Sequence, residues 1–217
     1  MNPALIELII LAGIAVFLFL RLRSVLGTRE GFEKPRMQPK NDAPKRDFKV
    51  IDGGEDKDIT DNVEKNSKSA KALKTIKEKD ETFTVNEFLS GARSAYEWIL
   101  MSFEKNEIDD IREILSEEVA EAFDSVVEQR ISQGLTIEAE FIGVREMKLV
   151  DASYNSKTNT AEIAVSFIGE MTSVVKNSSG EIVEGDSKQI KRQKDTWTFS
   201  KDIQSSDPNW LLVATGE

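Results

Sequence analysis

The feature that most limits the fold is a change of hydrophobic period at Gly134: apolar residues recur every three or four positions before it and every second position after it. Upstream, FLSGARSAYEWILMSF carries Phe88, Ala92, Tyr96, Ile99 and Phe103 at helical spacing. Thr84 and Glu87 form a capping box ahead of that run, and Phe83 and Phe88 take the two positions of a hydrophobic staple, so a helix start is specified at residue 83. EIDDIREIL reads as a second, short helix. Ser116 N-caps a third, EEVAEAFDSVVEQRISQG, with Val119, Ala122, Phe123, Val126 and Ile131 as its inward face and Gly134 as its terminator. Downstream, TAEIAVSFIGE sets Ala161, Ile163, Val165 and Phe167 on one face of a strand. DTWTFSK repeats the pattern with Trp197 and Phe199, and NWLLVAT supplies a last strand. IEAEFIGVREMKLV is long enough for one bent strand with a bulge at Gly143. NSKTN and KNSSGE carry turn chemistry. Helices followed by an antiparallel sheet mean an α+β domain over residues 82–217.

A separate element precedes it. Ala4 to Leu20 reads ALIELIILAGIAVFLFL, with Glu7 its one charge and Leu5, Ile9, Leu11, Ile14, Phe17 and Leu20 among its apolar residues. Its Leu, Ile, Phe and Val side chains favour insertion into a membrane by roughly 5 kcal/mol. Glu7 sits near one end, away from the costly midplane. The run is short, spanning about 25 Å of a core roughly 30 Å thick, and Arg21 and Arg23 extend it by snorkelling. A cleavable signal peptide carries its positive charge before the apolar core, whereas here the first Arg is Arg21. Arg21, Arg23, Arg29, Lys34 and Arg36 hold the following segment on the cytoplasmic side by the positive-inside rule. Residues 1–27 are therefore expected to be a retained single-pass anchor with its basic flank, and a signal peptide or a core helix of a soluble protein are the competing readings.

Residues 28–81 have the composition of a disordered polar tether, with tracts such as PKNDAPKRD and DGGEDKD. Within it, NSKSAKALKTIKEK puts Ala70, Leu73 and Ile76 near one face among Lys68, Lys71, Lys74, Lys77 and Lys79. That is either a short basic helix for anionic lipid or a partner, or a solvated linker end.

Charge and composition remove several classes of function. The chain carries a net charge of −10 and contains no cysteine and no histidine. The acidic excess lies in residues 82–217, which should repel phosphate backbones, so nucleic acid is not expected as a partner. Without cysteine there are no disulfides or thiolate metal sites, and without histidine the commonest general base and zinc ligand are missing. No cofactor is expected.

An anchor running into RLRSVLG, a polar tether, then FLSGARSAYEWI, FDSVVEQRISQG, TAEIAVSF, DTWTFSK and DPNWLLVAT in that order resembles the bacterial TimA family. Those proteins are relatives of subunit forty-four of the mitochondrial inner-membrane translocase. The most specific elements are the WTF strand, with Trp197 and Phe199, and the closing NW with Trp210. The resemblance implies a nuclear transport factor two type cone, in which helices close a curved antiparallel sheet around an apolar pocket. It further implies a non-enzymatic membrane adaptor in protein transport at a bacterial inner membrane. Its partners would be membrane lipid and an inner-membrane or chaperone protein.

Candidate sites follow from these readings. Glu138 with Glu140, Asp109 with Asp110, and Glu117 with Glu118 are acid pairs; the first reads as a solvated strand face and the others as first-turn acids complementing helix dipoles. A cone-shaped enzyme that moves protons needs an acid beside a His or Tyr, and no acid falls on the apolar face beside Tyr96. An enzyme using the cone as a small-molecule pocket is the alternative to the adaptor. Phe88, Tyr96, Phe103, Phe141, Phe167, Trp197, Phe199 and Trp210 exceed what a minimal core demands; they form either that core or the lining of an apolar pocket. SKQIKRQK is a basic cluster in an acidic domain, so Lys188, Lys191, Arg192 and Lys194 either face lipid headgroups or an acidic partner, or flank a charged hairpin. Asn177-Ser178-Ser179 matches a glycosylation acceptor but reads as turn chemistry.

Overall fold

The computed structural model describes residues 56–216, and the anchor residues Leu5, Ile9, Leu11, Ile14, Phe17, Leu20, Arg21 and Arg23 lie outside them. Among the described residues no helix is long and apolar enough to cross a membrane. The element order is α1 (Lys57–Thr60), α2 (Lys68–Lys79), α3 (Val85–Glu104), a 3₁₀ segment (Ile108–Ile114), α4 (Glu117–Ser132), then β1 (Thr136–Asn155), β2 (Thr160–Lys176), β3 (Ile182–Asp202) and β4 (Leu211–Gly216). The strands form one antiparallel sheet in the order β1-β2-β3-β4. The architecture is α+β, with helices on one face of a curved four-stranded sheet.

The curvature has a local cause. β1 slips register against β2 between Phe141 and Gly143, between Val144 and Glu146, and between Leu149 and Asp151. Each extra residue on one strand bends it and increases its twist. On the helix-facing side, Ala161, Ile163, Val165 and Phe167 of β2 are fully buried, joined by Trp197 and Phe199 of β3 and Leu212 and Ala214 of β4.

The expectation of a disordered tether over residues 28–81 does not hold for its last part. Residues 28–55 lie outside the described residues, but residues 56–81 are folded. Ser67 caps α2 by accepting from the Ala70 N–H, and Leu73 and Ile76 are fully buried in the main core together with Ile59. Ser69 donates to Asp151 at 2.7 Å, tying α2 to β1. Three apolar side chains are too few to hold a helix in water, yet each finds core here, so neither the lipid-lying helix nor the solvated linker end describes this segment. Lys68, Lys71, Lys74 and Lys79 are exposed, while Lys77 turns toward Asp56 and Asp58.

α3 begins where the sequence indicates. Thr84 accepts from the Glu87 N–H at 3.2 Å, and Phe83 and Phe88 have ring centroids 6.3 Å apart, which is the staple contact. Two further first-turn donors are met from a distance: the Asp58 carboxylate accepts from Val85 N at 2.8 Å and Asn86 N at 3.0 Å. Burial opposes the Asp58 charge, but these donors and Lys77 at 3.0 Å outweigh it, holding the carboxyl below its ordinary value. α4 turns a slightly different face inward than expected, burying Val119, Ala120 and Val127 while Val126 and Ile131 are exposed. The cause is its docking against β4, where Leu115 bridges Leu212 and Ser116 N donates to Leu212 O. Gly134 ends it at φ 66°, a conformation glycine adopts without strain.

Candidate functional site

The eight aromatic residues read as either core or pocket lining separate into three places. Tyr96, Phe141, Phe167 and Trp197 make a closed cluster. Tyr96 stacks on Phe167 at 4.4 Å, lies 4.7 Å from Trp197 and meets Phe141 edge-on at 6.1 Å. This is core. Gly169 makes it attainable, because a Cβ there would stand 2.6 Å from the Tyr96 hydroxyl oxygen. Phe103 packs on Phe123 at 4.6 Å and is covered by the Arg130 guanidinium at 4.3 Å, a contact that joins the end of α3 to α4.

An acid does lie beside Tyr96, contrary to expectation. The Tyr96 hydroxyl donates to Asp195 Oδ2 at 2.5 Å, and Gln193 donates to Oδ1 at 3.0 Å. Asp195 shares a face with Trp197 and Phe199, the buried positions of an alternating stretch of β3. Burial first, and the Asp195 hydrogen bond and charge next, raise the Tyr96 phenol far above its ordinary value, so it is a fixed donor. Tyr96 is fully buried and Asp195 nearly so, and neither lines the cleft described below, so the pair acts as a sealed polar tie.

Phe88, Phe199 and Trp210 do line a site, an open cleft of about 610 Å³ between α3 from its N-cap to Ile99, the end of β3 and the loop before β4. Phe88 and Trp210 approach to 4.8 Å, Phe83 and Trp210 to 5.9 Å, and Phe88 and Phe199 to 6.0 Å. On the α3 wall stand Glu87, Gly91, Ala95 and Trp98, four residues of one helical stripe. Trp98 is 49% exposed, and a Cβ on Gly91 would meet nothing within 4 Å. The rim is polar, with Asp80, Thr82, Glu87, Lys201 and Asn209. The Thr82 hydroxyl donates to Asp80 at 2.6 Å and holds that carboxyl below its ordinary value. Phe83, Gly91 and Trp98 were not foreseen as lining residues. The signal was present in the stripe next to the buried one, where small residues are followed by an exposed tryptophan.

The basic cluster falls on an arm formed by β2 and β3, where residues 181–194 are all exposed. Met171 pairs with Lys191 and Ser173 with Asp186, so Ser187–Ile190 bulge opposite a single residue, Thr172. Arg192 binds Glu170 at 2.9 Å, Arg145 binds the same carboxylate at 3.4 Å, and Lys191 approaches Glu184 at 3.7 Å. At the arm's turn, Asn177 Oδ1 accepts from the backbone N–H groups of Ser179 and Glu181, each at 3.0 Å. The glycosylation-like triplet is thus a side-chain-stabilised turn. Glu138 and Glu140 are exposed, and Glu138 pairs with Lys176.

A family model described as the Tim44-like domain matches residues 69–217. The chain belongs to the Tim44-like domain family. The match begins inside α2, agreeing with the buried Leu73 and Ile76 rather than with a boundary at residue 82. Tim44-like domains bind protein partners and lipid in translocation systems, and the domain is generally a non-catalytic adaptor. No curated protein matches the chain. Among solved structures, the intermembrane space region of the chloroplast protein ARC6 is similar at a TM-score of 0.42 and 9% identity, covering 59% of this chain and 94% of that one.

Proposed function

We propose that this Tim44-like protein is a membrane-tethered adaptor of the TimA type, with its domain in the nuclear transport factor two-like cone class and its aromatic cleft as the partner-binding site. Residues 4–20 hold it in a bacterial inner membrane, and Arg21 and Arg23 keep residues 56–216 on the cytoplasmic side. Lys188, Lys191, Arg192 and Lys194 on the β2–β3 arm meet anionic headgroups or an acidic partner. The observation that carries the reading is the half-exposed Trp98 over an open cleft walled by Phe83, Phe88, Phe199 and Trp210 in a domain of an adaptor family. Large aromatic surface that is rigid and still accessible is what interface hot spots are made of.

Photo-crosslinking in the native membrane tests this. A photoreactive residue at position 98 is expected to capture a partner in the membrane fraction, while one at exposed Glu162 on the outer sheet face captures none. Recovery of the full chain in the soluble fraction, or equal capture at both positions, would overturn the proposal. Replacing Arg21 and Arg23 with Glu is expected to weaken or invert the topology read by a C-terminal reporter; an unchanged reporter refutes the orientation.

A further inference from the structure

The charge around the cleft indicates what kind of segment fits it. Its rim holds Asp80 and Glu87 against Lys201. An adjoining hollow shares Asp80, Thr82, Lys201 and Pro208 with the cleft and adds Glu81 and Asp207 against Lys79. Lys201 is engaged locally, donating to the Pro208 carbonyl at 3.3 Å and lying close enough to Asp80 to favour its charged form. The mouth therefore presents more negative than positive charge above an aromatic floor. From this we infer that the cleft selects a peptide segment of a partner protein that is apolar and positively charged, with Leu- or Phe-type side chains entering between Trp98 and Trp210 and Lys or Arg meeting Asp80, Glu81, Glu87 and Asp207.

This inference rests on the adaptor reading of the same cleft and adds the chemistry of its occupant. A volume of about 610 Å³ falls within the range of roughly 300–1,000 Å³ that takes small ligands, which is room for a few side chains and too little for a folded surface. Gly91, Ala92 and Ala95 leave the α3 wall low, so a bound backbone can approach that helix closely. An acyl chain would also suit the aromatic floor. An anionic lipid, however, would bring its phosphate to a mouth where four carboxylates outnumber Lys79 and Lys201, and like charges at an interface act against the wrong partner.

The test uses the full chain in nanodiscs of zwitterionic lipid and two labelled 14-residue amphipathic peptides. Both have the same Leu/Phe face; one carries Lys and the other Glu on its polar face. By fluorescence anisotropy at moderate salt the Lys peptide is expected to bind at least ~10-fold more tightly, a preference that shrinks as salt rises. Gly91→Leu fills the cleft at an open helical position, so it should weaken the Lys peptide by ~10-fold or more without lowering the urea midpoint. Glu87→Gln combined with Asp80→Asn retains the acceptors of both residues and should bring the two peptides within ~3-fold of each other. Equal binding of both peptides by the wild-type chain, sensitive to Gly91→Leu, overturns the charge selection and leaves the adaptor cleft standing. Binding of monomeric short-chain phosphatidylglycerol in a Gly91-sensitive manner, with neither peptide bound, overturns it in favour of lipid. Peptide binding indifferent to Gly91→Leu removes the cleft as the site and the adaptor reading with it.

Discussion

Replacing Tyr96 with phenylalanine removes one oxygen from the closed aromatic cluster and leaves its ring contacts with Phe167, Trp197 and Phe141 in place. The lost interaction is a 2.5 Å hydrogen bond from a fully buried phenol to a carboxylate that is 8% exposed. Hydrogen bonds to charged groups contribute about 1.5–3 kcal/mol net, and in so little solvent no water compensates, so the upper half of that range is expected. With a urea slope of about 2 kcal/mol/M for a domain of this size, the midpoint should fall by roughly 1 M. Trp197, 4.7 Å from the Tyr96 ring, makes intrinsic fluorescence a suitable probe of the transition. The pH profile supplies an independent check. Because the Tyr96 proton is held more tightly in the folded state, this contribution is complete below the ordinary phenol value of 10.0 and lost as pH rises through the higher, folded one. The wild-type chain should therefore lose stability above about pH 10 more steeply than Tyr96→Phe does. A variant within about 0.5 kcal/mol of wild type, with an unchanged alkaline profile, would refute the view that the pair ties α3 to β3.

Four further outcomes follow from the fold. Leu73→Ala should cost about 2–5 kcal/mol by calorimetry or urea melting, since the side chain is fully buried; a cost near zero would return residues 68–79 to the tether. Asp58→Ala should cost about 2 kcal/mol at neutral pH through two lost capping bonds and the Lys77 pair. Its carboxyl is lowered in the fold, so that contribution is present above pH 3.8 and lost as pH falls below it; urea melts of the two proteins should converge there. Trp98→Ala should change stability by no more than about 1 kcal/mol while removing binding at the cleft, whereas Trp197→Ala should lose about 3–5 kcal/mol.

How much of this was legible in the sequence depended on whether a residue's surroundings were local. The start of α3 was readable because its cap and staple lie within six residues, from Phe83 to Phe88. The buried face of β2 was readable because strict alternation has one explanation. α2 was misread because Leu73 and Ile76 look too sparse among lysines until the core that receives them is known. The exposed arm of β3 was read only from Asp195 onward, since residues wet on both faces show no alternation. Asp195 itself was visible at the right parity beside Trp197 and Phe199, but a polar residue there was not matched to a hydroxyl 99 positions away. The cleft was missed in part for the same reason. Three of its aromatics were named, while Trp98 lies on a stripe whose function comes from the loop opposite, around Pro208 and Trp210.

The Asp58 cap has a mechanical consequence. Asp56 and Asp58 are held by Lys77, and Asp58 grips the first turn of α3 across 27 residues of chain. Tension on the chain upstream of residue 56 would arrive first at this latch, and from there at the helix that carries Thr84, Glu87 and Gly91 of the cleft wall. A load applied there would thus be felt at the mouth of the cleft, so that pulling on the chain upstream of residue 56 and reshaping the cleft would be one coupled event.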